Sequence, residues 1–179
     1  MVSLLRLQSR RVENEYLKKA FNESINRILS ISITHELLAQ ECTDEVDIKS
    51  ILEMISKNTL DYIPTSEQDI RVTVLGDNLS VNSDKATSIA LVVNELLQNS
   101  IAHGFKNREH GYIEVEICKG EIHSTISVRD NGTGFCIKDI RGNSLGLNIV
   151  EQIVKDKLEG DLIIKSGKEG TNIIFDFKN

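Results

Sequence analysis

Glu95, Asn99 and His103 recur at four-residue intervals in the run Asn94-Glu95-Leu96-Leu97-Gln98-Asn99-Ser100-Ile101-Ala102-His103. On an α-helix that spacing puts a carboxylate, an amide and an imidazole on one face. An Asn carbonyl oxygen is a hard, neutral donor suited to Mg2+, which keeps its other positions for water and phosphate oxygens. The row suits a metal-bound phosphate, and equally a solvated helix face. Further on, Asp130-Asn131-Gly132-Thr133-Gly134-Phe135 follows the alternating stretch Ile126-Ser127-Val128. An acid at a strand's end can accept a hydrogen bond from an exocyclic amine such as adenine N6, and the glycines let the backbone run close to a flat ring. D-N-G is also a favourable turn sequence. It is not a dinucleotide fingerprint, because the sixth position is Ile137 rather than a small residue and no helix opens at once.

Two further runs join these. Gly142-Asn143-Ser144-Leu145-Gly146-Leu147 leads into an apolar-periodic segment, with Ser144 as the expected N-cap. Free backbone N–H groups and the dipole at such a helix start attract phosphate. No Gly-Lys-Ser/Thr follows, so this is not a Walker loop. Gly167-Lys168-Glu169-Gly170-Thr171 is by itself a hairpin turn before a last strand.

The elements that hold these residues follow from hydrophobic period and turn residues. A long helix is expected from Asp84 to His103, with Ile89, Val92, Val93, Leu96 and Leu97 as its buried stripe and Gly104 as its C-cap. Asp47 caps a shorter helix, Ile48 to Leu60, which Pro64 ends. Strands are expected at Ile70–Leu75 and Leu79–Val81, joined by the turn Gly76-Asp77-Asn78. Others follow at Tyr112–Cys118, Ile122–Arg129, Asp161–Lys165 and Asn172–Phe177, with a helix from Gly146 to Lys157. Strands arriving as adjacent pairs predict an α+β fold, a two-layer sandwich of one sheet with helices on one face. Upstream, residues 2–41 carry a helical stripe that includes Leu17, Phe21, Ile25, Ile28, Ser32, His35 and Ala39. A helical hairpin with a break at Arg10–Glu15 fits it. Two helices make a poor core alone, so a homodimer forming a four-helix bundle through residues 1–41 is expected. The polar run Glu41–Glu45 divides the chain into 1–45 and 46–179.

Composition narrows the function classes. Of 179 residues, 40% are hydrophobic but only 4% aromatic and none is Trp, so the core must rest on Ile, Leu and Val. A net charge of -6 with no long basic tract argues against nucleic acid as a partner. Cys42, Cys118 and Cys136 form no C-x-x-C pair and read as reduced thiols, as in a cytoplasmic protein. No apolar stretch approaches the roughly 18 residues of a spanning helix, and the N-terminus lacks a signal-peptide pattern, so no membrane contact by these residues is expected, while a longer protein could be anchored through upstream segments.

In this order, the acid–amide helix, the strand, Asp130-x-Gly132-x-Gly134, the Gly-rich loop opening a helix, and Gly167-x-x-Gly170-Thr171 resemble the GHKL ATPase superfamily (gyrase, Hsp90, histidine kinase, MutL) over residues 47–179. The resemblance implies a Bergerat-type sandwich that binds ATP with Mg2+. It implies Asn99 as the Mg2+ ligand, Glu95 as the acid/base residue, Asp130 on adenine, and Gly132, Gly134 and Thr171 around the base. Gly142, Ser144, Leu145, Gly146 and Leu147 would face the phosphates from a short lid. His103 would touch phosphate, although capping the helix end accounts for it equally well.

The stretch Ser3-Leu4-Leu5-Arg6-Leu7-Gln8-Ser9-Arg10-Arg11, with Ser24–Ile28 and His35-Glu36-Leu37-Leu38, is similar to the dimerisation region of HisKA_2-type bacterial histidine kinases. In that family the phosphoacceptor histidine lies upstream of the Ser-Leu-Leu-Arg-Leu-Gln stretch, so the expectation is a chain without it, unable to phosphorylate itself, with His35 an interface residue. The implied reaction moves the ATP γ-phosphoryl to a histidine on a dimeric helix and then to an aspartate of a response-regulator receiver domain. Two alternatives stand beside it. A protein-serine kinase of the anti-sigma-factor type shares the nucleotide site but has no helical hairpin before it. A non-catalytic nucleotide-sensing dimerisation module is opposed by the presence of Glu95, Asn99 and Asp130.

Overall fold

The computed structural model describes Asn14 and residues 45–61, 69–106, 108–136 and 145–179. The expected helical hairpin of residues 2–41, with His35, and the loop positions Gly142 and Ser144 lie outside those residues. Strand β1 (Glu45–Asp47) leads into helix α1 (Ile48–Asp61). Asp47 caps α1 as expected, its Oδ2 accepting from the Ser50 hydroxyl at 2.6 Å and from the Ser50 N–H at 3.4 Å. Strands β2 (Asp69–Gly76) and β3 (Ser80–Asn82) precede the long helix α2 (Ser83–Asn99), which widens into a π turn over Ser100–Gly104. Then come β4 (His110–Cys118), β5 (His123–Asp130), helix α3 (Leu145–Asp156), β6 (Leu162–Gly167) and β7 (Gly170–Lys178).

The main sheet is mixed and five-stranded, in the order β2-β4-β5-β7-β6. β2 runs parallel to β4 and every other pair is antiparallel. The expectation that β2 and β3 flank one turn within a single sheet is corrected here. β3 pairs instead with β1, from Glu45↔Asn82 to Asp47↔Ser80, in a separate two-stranded sheet. β2 aligns with β4 over its full length, from Asp69↔His110 to Gly76↔Ile117, whereas β3 offers only three residues to pair. The turn is also pinned to the end of β4. The Asp77 N–H donates to Ile117 O at 2.9 Å, and the Lys119 N–H donates to Asp77 Oδ2 at 2.9 Å.

One face of the sheet is apolar and buried: Ile113, Val115 and Ile117 on β4, Ile126 and Val128 on β5, and Ile173, Phe175 and Phe177 on β7. The helices cover it with Ile48, Leu52 and Ile55 of α1, Ile89, Val93 and Leu96 of α2, and Val150 and Val154 of α3. The other face exposes Arg71, Glu116, Arg129 and Lys165. Period-two alternation with one wet face makes this a two-layer α+β sandwich. Its core is mostly Ile, Leu and Val, but Phe105, Phe175 and Phe177 are all fully buried, a larger aromatic share than composition implied.

α2 begins at an N-cap one turn before the apolar stripe, where Asn82 Oδ1 accepts from the Lys85 N–H at 2.9 Å. Its far end departs from expectation. The expected α-helix to His103 with a left-handed Gly104 cap is replaced by the π turn, and Gly104 is not among the glycines with positive φ. The turn closes at Phe105, whose buried ring anchors it to the core.

Candidate functional site

On β5 the residues Ser124, Ile126, Val128 and Asp130 form one buried row, so alternation carries a carboxylate to the helix-covered face of the sheet. Asp130 is only 5% exposed. A carboxylate in such a place must be compensated by hydrogen bonds. Three donors provide them. The Gly132 N–H (2.8 Å) and the Thr171 N–H (3.1 Å) both donate to Oδ1, and the Ser100 hydroxyl donates to Oδ2 (2.8 Å). A carboxylate has about four acceptor sites. Among the described residues, one of them, on Oδ2, is left for a further donor.

The Asp130–Phe135 loop is folded onto the end of α2. The Thr133 N–H donates to Gly104 O at 2.8 Å. A Cβ on Gly132 would lie 2.6 Å from Gly104 O and 2.8 Å from Asp130 Oδ1, so glycine alone permits this approach. Asn131 ties the loop to β4, with its Oδ1 accepting from the Tyr112 N–H at 2.8 Å, and Arg108 donates to its carbonyl. Gly134 takes φ 63 against Gly167, and the Phe135 N–H donates to Ser166 Oγ at 2.9 Å. The Gly167–Gly170 turn does form a hairpin between β6 and β7, with Gly167 opposite Gly170. It also does more. Gly170, at φ 118, packs where a Cβ would meet Asp130 O at 2.0 Å, and the Thr171 hydroxyl lies 3.0 Å from Ser166 Oγ.

On α2, Glu95 is buried (7% exposed) rather than part of a solvated face, beside the equally buried Asn94. Asn99 is half-buried, and its Nδ2 is a buried atom with no hydrogen-bond partner among the described residues. His103 is exposed. Glu95 and Asn99 share a face of regular α-helix, while His103 falls in the π turn that follows it. Ser100, next to Asn99, bonds Asp130 directly, so the helix pair and the acid of β5 belong to one site.

A free amide beside an acid with an open acceptor site fits a ligand bearing an amine at one end and a metal-bound anion at the other. Among the described residues no three His, Cys, Asp or Glu side chains gather to hold a metal. Across the helix layer, α3 packs on α2. Its first turn has Gly146 buried, Leu147 half-buried and no acidic residue.

The residues that local reading did not place at the site are Ser100 and Ser166, and Gly104, expected only as a helix cap. Ser100 carried one faint signal, a hydroxyl in the last turn of an otherwise apolar helix flank. The others act through backbone or through pairing across the sheet.

Fold and site together define an ATPase-type sandwich in which the acid ending a central strand is bonded to the end of the facing helix. Residues 84–179 match the model of the histidine kinase-, DNA gyrase B- and HSP90-like ATPases, and residues 1–63 match a histidine kinase model. The chain belongs to the histidine kinase-, DNA gyrase B- and HSP90-like ATPase family, in its sensor histidine kinase branch. It is 30% identical over 180 residues to the sensor histidine kinase PdtaS of Mycobacterium tuberculosis, covering 97% of this chain and 35% of that protein. It thus spans about a third of the length of that relative. An anti-sigma F factor of Clostridium botulinum is 27% identical over 136 residues, covering 66% of this chain and 91% of the factor. In fold, it resembles the histidine kinase domain of a blue-light-activated histidine kinase from Erythrobacter litoralis (TM-score 0.73, 23% identity, covering 98% and 93% of the two chains). No helix among the described residues is long and apolar enough to cross a membrane.

Proposed function

We propose that this chain is the ATP-binding catalytic part of a cytoplasmic two-component sensor histidine kinase, with residues 46–179 as the catalytic domain and residues 1–45 as a dimerisation part. The observation that carries the reading is the Asp130 carboxylate, held by three donors with one acceptor site open, one residue away in contact from the unpaired Asn99 amide. Asp130 would accept the exocyclic amine of adenine, with Gly132, Gly134 and Thr171 shaping the slot. Asn99 would turn its carbonyl oxygen to Mg2+ and its Nδ2 to a phosphate oxygen. Mg2+, when bound, would neutralise charge on the phosphates and hold them in line. Gly142, Ser144, Leu145, Gly146 and Leu147 would present main-chain donors at the start of α3, and His103 would lie at the phosphate rim. Glu95 would orient, or take the proton from, the attacking imidazole.

In this reading the γ-phosphoryl passes to a histidine on the dimer helices, then to the aspartate of a receiver domain. Residues 1–41 pair with a second copy as a four-helix bundle. Likeness to the anti-sigma F factor supports a second reading, a protein-serine kinase. The histidine kinase match over residues 1–63, wholly outside the ATPase match at 84–179, favours the first. Phosphotransfer from the full-length protein to a receiver domain, against a serine-bearing partner, separates the two. For the pocket itself, Asp130→Asn keeps the shape but removes the charge. Loss of a charge-assisted hydrogen bond predicts an affinity for Mg-ATP about 10- to 100-fold weaker by calorimetry. An unchanged affinity refutes the site.

A further inference from the structure

Of the three donors on Asp130, two are main-chain amides converging on Oδ1, and neither can be altered by changing a side chain. The third is Ser100. Among the described residues it is the sole side-chain donor to this carboxylate, and it alone touches Oδ2, the oxygen with an acceptor site still open. It is the first residue of the π turn and keeps right-handed helical backbone angles. The Ser100 N–H is taken up by Leu96 O and Leu97 O, which leaves the hydroxyl to reach across to β5. The residue is 9% exposed, so water competes poorly for that bond.

We infer that Ser100 is a positioning and specificity residue for the nucleotide base, setting the direction of Asp130 Oδ2 so that a 6-amino purine is accepted and a 6-oxo purine refused. This rests on the adenine reading of the pocket. The argument is one of proton count. A serine hydroxyl has one proton, and here it is committed to the carboxylate. Oδ1 is held at one end by two amides, and the hydroxyl fixes the other end, so the open lone pair of Oδ2 has one direction. The Ser100–Asp130 pair then presents acceptors only. An exocyclic amine completes it, whereas a carbonyl oxygen in the same place would set lone pair against lone pair in a buried site. With the hydroxyl gone, the Oδ2 end is free to swing, and a water able to donate to either group can enter. Asn99, the preceding residue, would serve the metal and phosphates, so adjacent residues of one helix end would set the base and the triphosphate in register.

The test is a cycle between the Ser100 hydroxyl and the 6-amino group. Affinities of Mg-ATP, Mg-ITP (6-oxo) and Mg-purine riboside triphosphate (no 6-substituent) are measured by competition against a fluorescent ATP analogue. The proteins are the unaltered chain, Ser100→Ala, Ser100→Cys and Asp130→Asn. Ser100→Ala is expected to weaken ATP about 5- to 20-fold, less than the roughly 10- to 100-fold of a lost hydrogen bond to a charged group, because the bond removed positions the carboxylate and does not itself hold the base. The analogue without the amine should change by about twofold or less, because the interaction partner is absent. The preference for ATP over ITP should narrow, and Ser100→Cys, a weak donor of similar size, should fall between. Equal losses for ATP and the analogue would reduce Ser100 to packing and overturn the inference, as would undiminished ATP affinity. If Asp130→Asn also leaves ATP affinity intact, the base pocket itself is wrong. If Asp130→Asn weakens ATP and Ser100→Ala does not, only the role of Ser100 falls.

Discussion

Gly132→Ala is the sharpest steric test of the site. The added methyl would stand 2.6 Å from Gly104 O and 2.8 Å from Asp130 Oδ1, where ordinary contact begins near 3.4 Å. Restoring contact with Gly104 moves the loop by about 0.8 Å, the gap between those two distances. Two hydrogen bonds span that gap, Gly132 N–H to Asp130 Oδ1 and Thr133 N–H to Gly104 O, each 2.8 Å long. Lengthened by that much, both pass beyond hydrogen-bonding range. One is to a charged acceptor and one to a neutral carbonyl, so together they stand for roughly 2–4 kcal/mol. In a chain of this size that is about 4–16 °C in Tm. The carboxylate also loses one of its two Oδ1 anchors, and the affinity for Mg-ATP should fall by about tenfold or more. Differential scanning fluorimetry with and without Mg-ATP, followed by calorimetric titration, reads both effects. Gly104→Ala is the control for stability, since its methyl would meet the Asp130 carboxylate at an ordinary 3.6 Å and should leave Tm nearly unchanged. A Gly132→Ala protein with unaltered Tm and ATP affinity would refute the close approach on which the pocket depends.

Asn99→Ala should remove the Mg2+-dependent part of ATP affinity, so that the ratio with and without chelator drops by roughly tenfold. Its unliganded Tm should not fall, because the substitution also removes a buried amide nitrogen with no partner among the described residues. A drop of several degrees would mean that the amide has a structural role instead. Asn82→Ala deletes the N-cap of α2 and should cost about 1 kcal/mol in urea unfolding at constant m-value. An unchanged midpoint would show that the helix start is held by other contacts.

Much of this protein was legible in local pattern. The β4, β5 and β7 rows alternate strictly, and α2 has its apolar stripe, so strand and helix positions follow from periods of two and 3.6. Asp130, Asn99 and Glu95 could be picked out because each is a polar residue in a pattern that calls for something else or at a spacing that aligns it. Partnership was not legible. Whether β2 pairs with β3 or runs parallel to β4 depends on which strand offers a ladder of equal length, and that strand lies tens of residues away. The same holds for Ser100, which reads as one more helix residue until the packing of α2 against β5 sets its hydroxyl on Asp130. A chain's period reports the face each residue prefers; which distant atom meets it there is set by packing, and only the folded sandwich decided that.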